Sequence, residues 1–311
     1  MDKSVLKVNN LSKTFKIKSN KLFEKPKMLK AVNDVSFEVL EGETLGVIGE
    51  SGCGKSTLGK CIIQLLQPSS GEVLYNNTKI NDLNQAELKK IRKDIQIIFQ
   101  DPYSSLDPRK TVGAIIEEPM IIHNIGKPEE RKNKVIELLK EVGLDTFHVN
   151  RYPHEFSGGQ RQRINVARAL ALNPKVIVCD EPVSALDVSV QAQVLNLLKD
   201  LQRKFNLTYV FISHDLSVVK YISDRIGIMY LGKVVEIGDA KNIYKDPKHP
   251  YTKALFSAIP PESPFENKEK LVLEGDIPSP LNLPNGCPLS TRCPNCKEEC
   301  LKDIPELKNI G

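Results

Sequence analysis

The stretch with the most specific chemistry is Gly49–Ser56, which reads Gly-Glu-Ser-Gly-Cys-Gly-Lys-Ser. It fits the pattern Gly-x-x-x-x-Gly-Lys-Ser/Thr, in which backbone N–H groups and a helix N-terminus cradle phosphates. Lys55 is expected to reach the β- and γ-phosphates of a nucleotide, and Ser56 to supply a hydroxyl to Mg²⁺. The apolar run Thr44–Ile48 and the helical pattern Ser56–Leu66 flank this phosphate loop and provide the strand and helix that the pattern requires.

A second set of polar residues follows the apolar run Val176–Cys179, which is typical of a buried parallel strand. Ligands of open α/β sheets lie at the carboxyl ends of the strands, where Asp180 and Glu181 would stand. Asp180 is expected to hold Mg²⁺ through water, and Glu181 to act as general base on an attacking water. Alone, the two carboxylates would equally suit a helix N-terminus; the phosphate loop favours the catalytic interpretation.

Four further motifs stand in a fixed order with these two. They are Ile98-Phe99-Gln100-Asp101-Pro102, Ser157-Gly158-Gly159-Gln160-Arg161, Ser184-Ala185-Leu186-Asp187 and Ile212-Ser213-His214-Asp215. The whole set resembles that of ATP-binding-cassette (ABC) ATPases, and the resemblance covers residues from about 5 to about 260. It implies an enzyme that binds ATP with Mg²⁺ and hydrolyses it.

The resemblance also implies a role for each motif. The ATP-binding residues would be Gly49, Glu50, Ser51, Gly52, Cys53, Gly54, Lys55, Ser56 and Thr57. The catalytic residues would be Lys55, Gln100, Glu181 and His214, and the Mg²⁺ ligands Ser56, Gln100 and Asp180. Asp187 would belong to the D-loop, and Phe15 stands where the family places an aromatic ring against the adenine.

The family's signature corresponds to Ser157, Gly158, Gly159 and Gln160. These residues would begin a helix and so offer a second anion site. In ABC ATPases two chains pair head to tail, so this signature would contact the ATP held by a partner's phosphate loop. Gln100 would report the state of the phosphates to the helical region between the two motifs.

Alternating strand and helix patterns from Arg161 onward predict an α/β fold with a mainly parallel sheet. The resemblance adds an antiparallel β subdomain before it and an inserted helical subdomain at about 103–160. We therefore expect an ABC nucleotide-binding domain over residues 1–260. Residues 261–311, rich in Pro and polar residues, would form a small cysteine-containing C-terminal extension.

The segment His249–Leu255 resembles the C-terminal extension of oligopeptide/dipeptide importers, and Phe99–Arg109 with Cys53 resembles their F-type ATPase subunit. This implies a peripheral subunit at the cytoplasmic face of the membrane. Its partners would be a second, D-type ATPase subunit, two transmembrane permease subunits and an extracellular substrate-binding protein; an isolated chain could pair with its own copy. Importers of nickel or other small solutes share this extension, so that alternative stays open.

Four of the seven cysteines lie close together near the C-terminus: Cys287, Cys293, Cys296 and Cys300. In a reducing compartment such a group predicts a metal site rather than disulfides. The resemblance favours a [4Fe–4S] cluster, with Zn²⁺ or no metal as alternatives. Cys296 departs from the family's pattern, so we expect either that it substitutes as the fourth ligand or that the sequence is truncated.

The composition sets the outer bounds. The 311 residues are 40% hydrophobic and 27% charged with a net charge of +5, which excludes a disordered, collagen-like or disulfide-packed chain. The sequence predicts neither a signal segment nor a membrane span, and no nucleic-acid partner. A non-transport ABC ATPase of DNA repair or translation is the alternative class. Such a protein would usually carry two cassettes or a long coiled coil, and the sequence shows neither pattern.

The lysine-rich segment Lys13–Lys30 is either a solvated hairpin loop or a contact for anionic lipid.

Overall fold

The computed structural model describes residues 3–17, 26–259 and 271–310. Its strands are β1 Ser4–Ile17, β2 Lys27–Leu40, β3 Thr44–Ile48, β4 Ser70–Tyr75, β5 Thr78–Lys79, β6 Ile95–Ile98, β7 Val176–Asp180, β8 Thr208–Ser213, β9 Arg225–Tyr230 and β10 Lys233–Asp239. Its α-helices are α1 Lys55–Ile62, α2 Gln85–Asp94, α3 Val112–Ile122, α4 Pro128–Glu141, α5 Gly158–Leu170, α6 Val188–Phe205, α7 Leu216–Ile222, α8 Ala240–Lys245, α9 Pro250–Ser257 and α10 Glu298–Lys302.

The first sheet is antiparallel, in the order β2-β1-β4-β5. Its two long strands pair from Ser4↔Leu40 to Ile17↔Lys27, with interruptions in the register. The prediction that Lys13–Lys30 is a hairpin loop is therefore wrong at both ends, because strand pairing continues through Lys13–Ile17 and Lys27–Lys30. Cross-strand pairing overrides the lysine-rich composition there. The middle of the segment lies outside the described residues, and the lipid contact stays a prediction.

The second sheet carries the chemistry-bearing motifs, in the order β10-β9-β3-β8-β7-β6. The strands β9, β3, β8, β7 and β6 are parallel, and β10 pairs antiparallel with β9. The strands β3, β7 and β8 are buried along their whole length, as the apolar run Val176–Cys179 predicted for β7. Their carboxyl ends stand side by side, with Ile48 opposite Ser213 and Asp180 opposite Ile212.

A helical region occupies the chain between β6 and β7, and residues 99–157, all of them described, contain no strand. Thr111 caps α3 through its side chain, and Pro128 opens α4. Leu138, Leu139 and Ile116 belong to the same buried core as the sheet residues Ile98 and Phe211. The inserted helical region and the parallel sheet agree with the predicted fold class.

The C-terminal part folds back against the second sheet. Tyr251 of α9 is buried, and its ring lies 4.6 Å from that of Tyr230 at the end of β9. Leu289 joins the same core from the cysteine-rich segment. The expected boundary after residue 260 lies outside the described residues. Among the described residues, no helix combines the length and apolar character needed to cross a bilayer.

The turn between β3 and α1 yields a stability prediction from two glycines with positive φ. At Gly54 (φ 107°) a Cβ would lie 1.9 Å from the Ala31 carbonyl oxygen, whereas at Gly52 (φ 78°) it would meet nothing within 4 Å. We expect Gly52→Ala to cost about 1 kcal/mol of backbone strain and Gly54→Ala about 3 kcal/mol, because the second also displaces backbone. The midpoints of denaturant unfolding measure this. Equal losses would contradict the steric account.

Candidate functional site

The phosphate loop is organised around the Lys55 side chain, which is buried at the start of α1. Its Nζ donates hydrogen bonds to the carbonyl oxygens of Gly49 (2.7 Å) and Glu50 (2.9 Å). The first N–H groups of a helix have no partner within it, so the start of α1 adds donors around the amine. Burial raises the pKa of the neighbouring Cys53 thiol, which therefore stays neutral beside Lys55. The loop is thus a cationic cradle suited to phosphates.

Ser56 and Asp180 form the second part of the site. The Ser56 hydroxyl donates a 2.7 Å hydrogen bond to Asp180 Oδ1, across 124 residues of sequence. Burial raises the pKa of Asp180, while the Ser56 hydrogen bond and the Lys60 and Lys55 charges act in the opposite direction. A hydroxyl beside a carboxylate is an oxygen donor pair that suits Mg²⁺. The predicted Mg²⁺ residues Ser56 and Asp180 are therefore in contact.

Gln100 and His214 both contact one carboxylate oxygen of Glu181. Glu181 Oε2 accepts a 2.9 Å hydrogen bond from Gln100 Nε2 and lies 3.1 Å from His214 Nδ1. Glu181 itself has a left-handed backbone (φ 48°), and its N–H donates to the Ile212 carbonyl at the end of β8. His214 is 54% exposed at its side chain, whereas Glu181 is 11% exposed. A carboxylate held by two polar groups at a solvent-facing edge can orient a water and accept its proton.

The signature motif begins α5 as a reciprocal cap. The Gln160 N–H donates to Ser157 Oγ, and the Ser157 N–H donates to Gln160 Oε1. Gly159 is buried against α6, where an added Cβ would lie 2.3 Å from Val190 Cγ1. Gly158 faces Leu186 of the D-loop motif. Ser157 is exposed, so this helix start faces solvent and is open to a partner.

The chain that follows Gln100 is attached to the signature helix. The Arg161 guanidinium lies 3.7 Å from the centre of the Tyr103 ring. Arg168 donates to the Ser105 carbonyl oxygen, and Ser105 Oγ bonds Asn165 Oδ1 at 3.0 Å. These contacts supply a physical connection between Gln100 and α5, which the sequence suggested only by resemblance.

The remaining predicted residues are more dispersed. Asp187 is exposed at the start of α6, and Thr57 lies in the first turn of α1. Phe15 is half-buried on β1 opposite Leu29, with Lys13 Nζ 5.3 Å from its ring centre. Its predicted contact with adenine stays a prediction.

The four C-terminal cysteines are neighbours but do not form a metal-binding group. The Cys287 N–H donates to the Cys300 carbonyl oxygen at 2.7 Å, which closes the segment. Burial and the nearby thiols of Cys300, Cys293 and Cys296 raise the pKa of Cys287. Within the described part of the chain, no three His, Cys, Asp or Glu side chains are placed to hold a metal ion. The cluster that the resemblance implies therefore stays a prediction, and no step of the ATP chemistry below depends on it.

Sequence reasoning missed Tyr251 as a neighbour of the phosphate loop. Its hydroxyl oxygen accepts a 3.2 Å hydrogen bond from the Glu50 N–H, across 201 residues of sequence. The motif around Tyr251 indicated only a family extension. No periodicity or spacing connects it with Glu50, so the fold alone reveals this contact.

Comparison with known proteins identifies two matched regions. The ABC transporter family matches residues 32–184, and the oligopeptide/dipeptide transporter C-terminal region matches residues 235–300. The first region contains the phosphate loop, the signature and strand β7 with Asp180. The second region contains Tyr251 and Cys287.

The curated relatives extend over almost the whole chain. The chain is 52% identical over 311 residues to the oligopeptide transport ATP-binding protein AppF of Bacillus subtilis, covering 99% of this chain and 94% of that protein. It is 55% identical to the oligopeptide transport ATP-binding protein OppF of Haemophilus influenzae, covering 97% and 92%.

A solved structure agrees with these sequence relatives. The ATP-binding cassette MJ0796, in a dimeric post-hydrolysis state bound to ADP and Pi, superposes with a TM-score of 0.67 at 36% identity. The match covers 76% of this chain and 98% of that one. The phosphate loop, the Asp180–Glu181 pair and the signature lie in one fold, and both the family matches and the relatives agree with it. The chain therefore belongs to the ABC transporter ATP-binding proteins of the oligopeptide/dipeptide group.

Proposed function

We propose that this chain is the ATP-hydrolysing subunit that energises the import of oligopeptides or dipeptides. The observation that carries the proposal is the convergence of Gln100 and His214 on Glu181, next to the Ser56–Asp180 pair. Relatives named for oligopeptide transport, at 52% and 55% identity, support peptides over nickel as the substrate class.

The proposed reaction is the attack of water on the γ-phosphorus of ATP. The Lys55 amine and the N–H groups at the start of α1 bind the phosphates. Ser56 and Asp180, with Gln100, would hold Mg²⁺, which neutralises charge on the phosphate oxygens. Glu181 Oε2 orients the water and accepts its proton as the oxygen–phosphorus bond forms and ADP departs with the electrons of the broken bond. His214 donates to the developing charge on the γ-phosphate.

A complete site is proposed to need two chains. The exposed Ser157 and the neighbouring Gly159, at the start of α5, would contact ATP bound to a partner's phosphate loop, as the head-to-tail family arrangement implies. The dimeric state named for the structural neighbour MJ0796 supports pairing. We infer a D-type ATPase as the partner in the importer and a homodimer for the chain alone.

Two permease subunits and an extracellular substrate-binding protein would complete the importer. The chain would dock from the cytoplasmic face, because it must reach both ATP and the permeases. Closing and opening of the two ATPase subunits would drive the permeases between their two access states, with the segment after Gln100 moving together with α5.

Lys55→Ala tests the phosphate site. The substitution removes the ammonium charge at the centre of the phosphate loop, so we expect ATP affinity to fall at least about 100-fold. Equilibrium binding of a fluorescent ATP analogue measures it. Lys132→Ala, at an exposed position of α4, is the matched control and should bind as wild type. Wild-type affinity in Lys55→Ala would contradict the assignment.

Glu181→Gln tests the general base. The amide keeps an oxygen to accept from Gln100 but cannot take a proton, so we expect hydrolysis to fall by about 10²- to 10⁴-fold while ATP stays bound and the paired state accumulates. Phosphate release measures hydrolysis, and size-exclusion chromatography with ATP detects the paired state. Uptake of a labelled tripeptide by cells carrying the variant measures transport. Hydrolysis at the wild-type rate would show that Glu181 is not the base.

For the cysteines we propose that Cys287, Cys293, Cys296 and Cys300 hold a [4Fe–4S] cluster once their thiols rearrange around it. The closed backbone between Cys287 and Cys300 supports this. Iron, zinc and acid-labile sulfide are measured on protein purified without oxygen. We expect about four iron and four sulfide per chain and their loss in Cys296→Ser. About one zinc, or no metal, would contradict the cluster and leave the ATPase proposal intact.

A further inference from the structure

The phosphate loop carries an acidic side chain, Glu50, directly beside the backbone that binds phosphates. A carboxylate there opposes the binding of a polyanion such as ATP, because like charges repel at short range. Glu50 is 30% exposed, so water screens the repulsion only in part. An acidic residue in this position therefore calls for a compensating cation.

The compensating cation comes from the C-terminal region. Arg292 Nη1 lies 3.9 Å from Glu50 Oε1, and the arginine side chain is only 11% exposed. Arg292 Nε donates to the Gly275 carbonyl oxygen at 3.2 Å, which fixes the base of the guanidinium. Among the described residues Nη1 has no hydrogen-bond partner, so its interaction with Glu50 is one of charge. The same guanidinium also acts on Tyr230, where it opposes the rise that burial causes in the pKa of the hydroxyl.

A second contact joins the same two regions. The Tyr251 hydroxyl accepts from the Glu50 N–H, so that N–H is directed at α9 rather than into the phosphate cradle. The Tyr251 ring is fixed against Tyr230, at the end of the strand next to β3. One residue of the loop is therefore held by its backbone and by its side chain, from two separate segments of the C-terminal region.

We propose that Arg292 and Tyr251 are positioning residues of the nucleotide site, which hold Glu50 and neutralise its charge so that the phosphate loop binds ATP. This inference rests on the proposed nucleotide site. It gives the C-terminal region a function within ATP binding, separate from any metal that the cysteines take. The ligand affected is the triphosphate of ATP, and the effect is electrostatic for Arg292 and geometric for Tyr251.

The electrostatic role of Arg292 predicts how ATP affinity changes when either charge, or both, is removed. Arg292→Gln leaves the Glu50 carboxylate uncompensated, and we expect ATP affinity to fall about fivefold. Glu50→Gln leaves Arg292 free to attract phosphate, and affinity should rise by a similar factor. The double variant restores local neutrality, so its affinity should return to within about twofold of wild type.

The experiment measures binding of a fluorescent ATP analogue to the full chain at low and high salt, together with KM and kcat. We expect both single-variant effects to shrink as salt rises and to appear in KM rather than kcat, which a packing defect would not produce. Arg292→Lys should keep most of the affinity. Arg109→Gln, which removes an exposed, locally paired arginine, is the matched control. Tyr251→Phe should lose about threefold at every salt concentration, the effect of one hydrogen bond.

An unchanged affinity in both single variants, or a double variant no better than Arg292→Gln, would overturn the inference. Should Arg292→Gln fail to fold, Glu50→Gln alone decides, since the proposal requires tighter binding there. Lys55→Ala distinguishes a failure of the nucleotide site from a failure of the Arg292 and Tyr251 assignment. If that variant also binds ATP normally, the nucleotide site itself is wrong; if it loses ATP while the Glu50 and Arg292 variants bind as wild type, only this inference fails.

Discussion

The hydrogen bonds of the Lys55 amine to the Gly49 and Glu50 carbonyl oxygens are the interaction on which the site depends. A buried ammonium must have partners, and here the loop's own backbone supplies them. The loop can curl around the amine because Gly54 lets it pass against the Ala31 carbonyl, where a side chain would clash. The antiparallel sheet, which contains Ala31, thus fixes the shape of a loop that belongs to the parallel sheet.

The parallel sheet then determines which side chains meet this loop. Because β3, β7 and β8 run in the same direction and pair in register, their carboxyl ends place Ser56, Asp180 and His214 along one edge. The left-handed turn at Glu181, bonded to the Ile212 carbonyl, directs its carboxylate towards Gln100 and His214. Residues far apart in sequence therefore form one site through strand pairing rather than local structure.

Local patterns predicted what depends on local physics. The apolar runs of β3 and β7 and the helix start at Ser157–Gln160 could be predicted from the sequence, since burial and helix initiation depend on a few neighbouring residues. The pairing of Lys13–Ile17 with β2 could not, because cross-strand contacts outweigh the lysine composition. Nor could the contacts of Tyr251 and Arg292 with Glu50, since nothing local connects residues more than 200 positions apart.

The distant contacts contribute to the charge balance of the site. Three acidic residues, Glu50, Asp180 and Glu181, lie around a phosphate loop that is proposed to bind a polyanion, and each has a polar or cationic neighbour of its own. Asp180 has Ser56 and the nearby lysine charges; Glu181 has Gln100 and His214. For Glu50 the matching cation is supplied by the C-terminal region of the oligopeptide/dipeptide transporter type, and this contact connects that region physically to the phosphate loop.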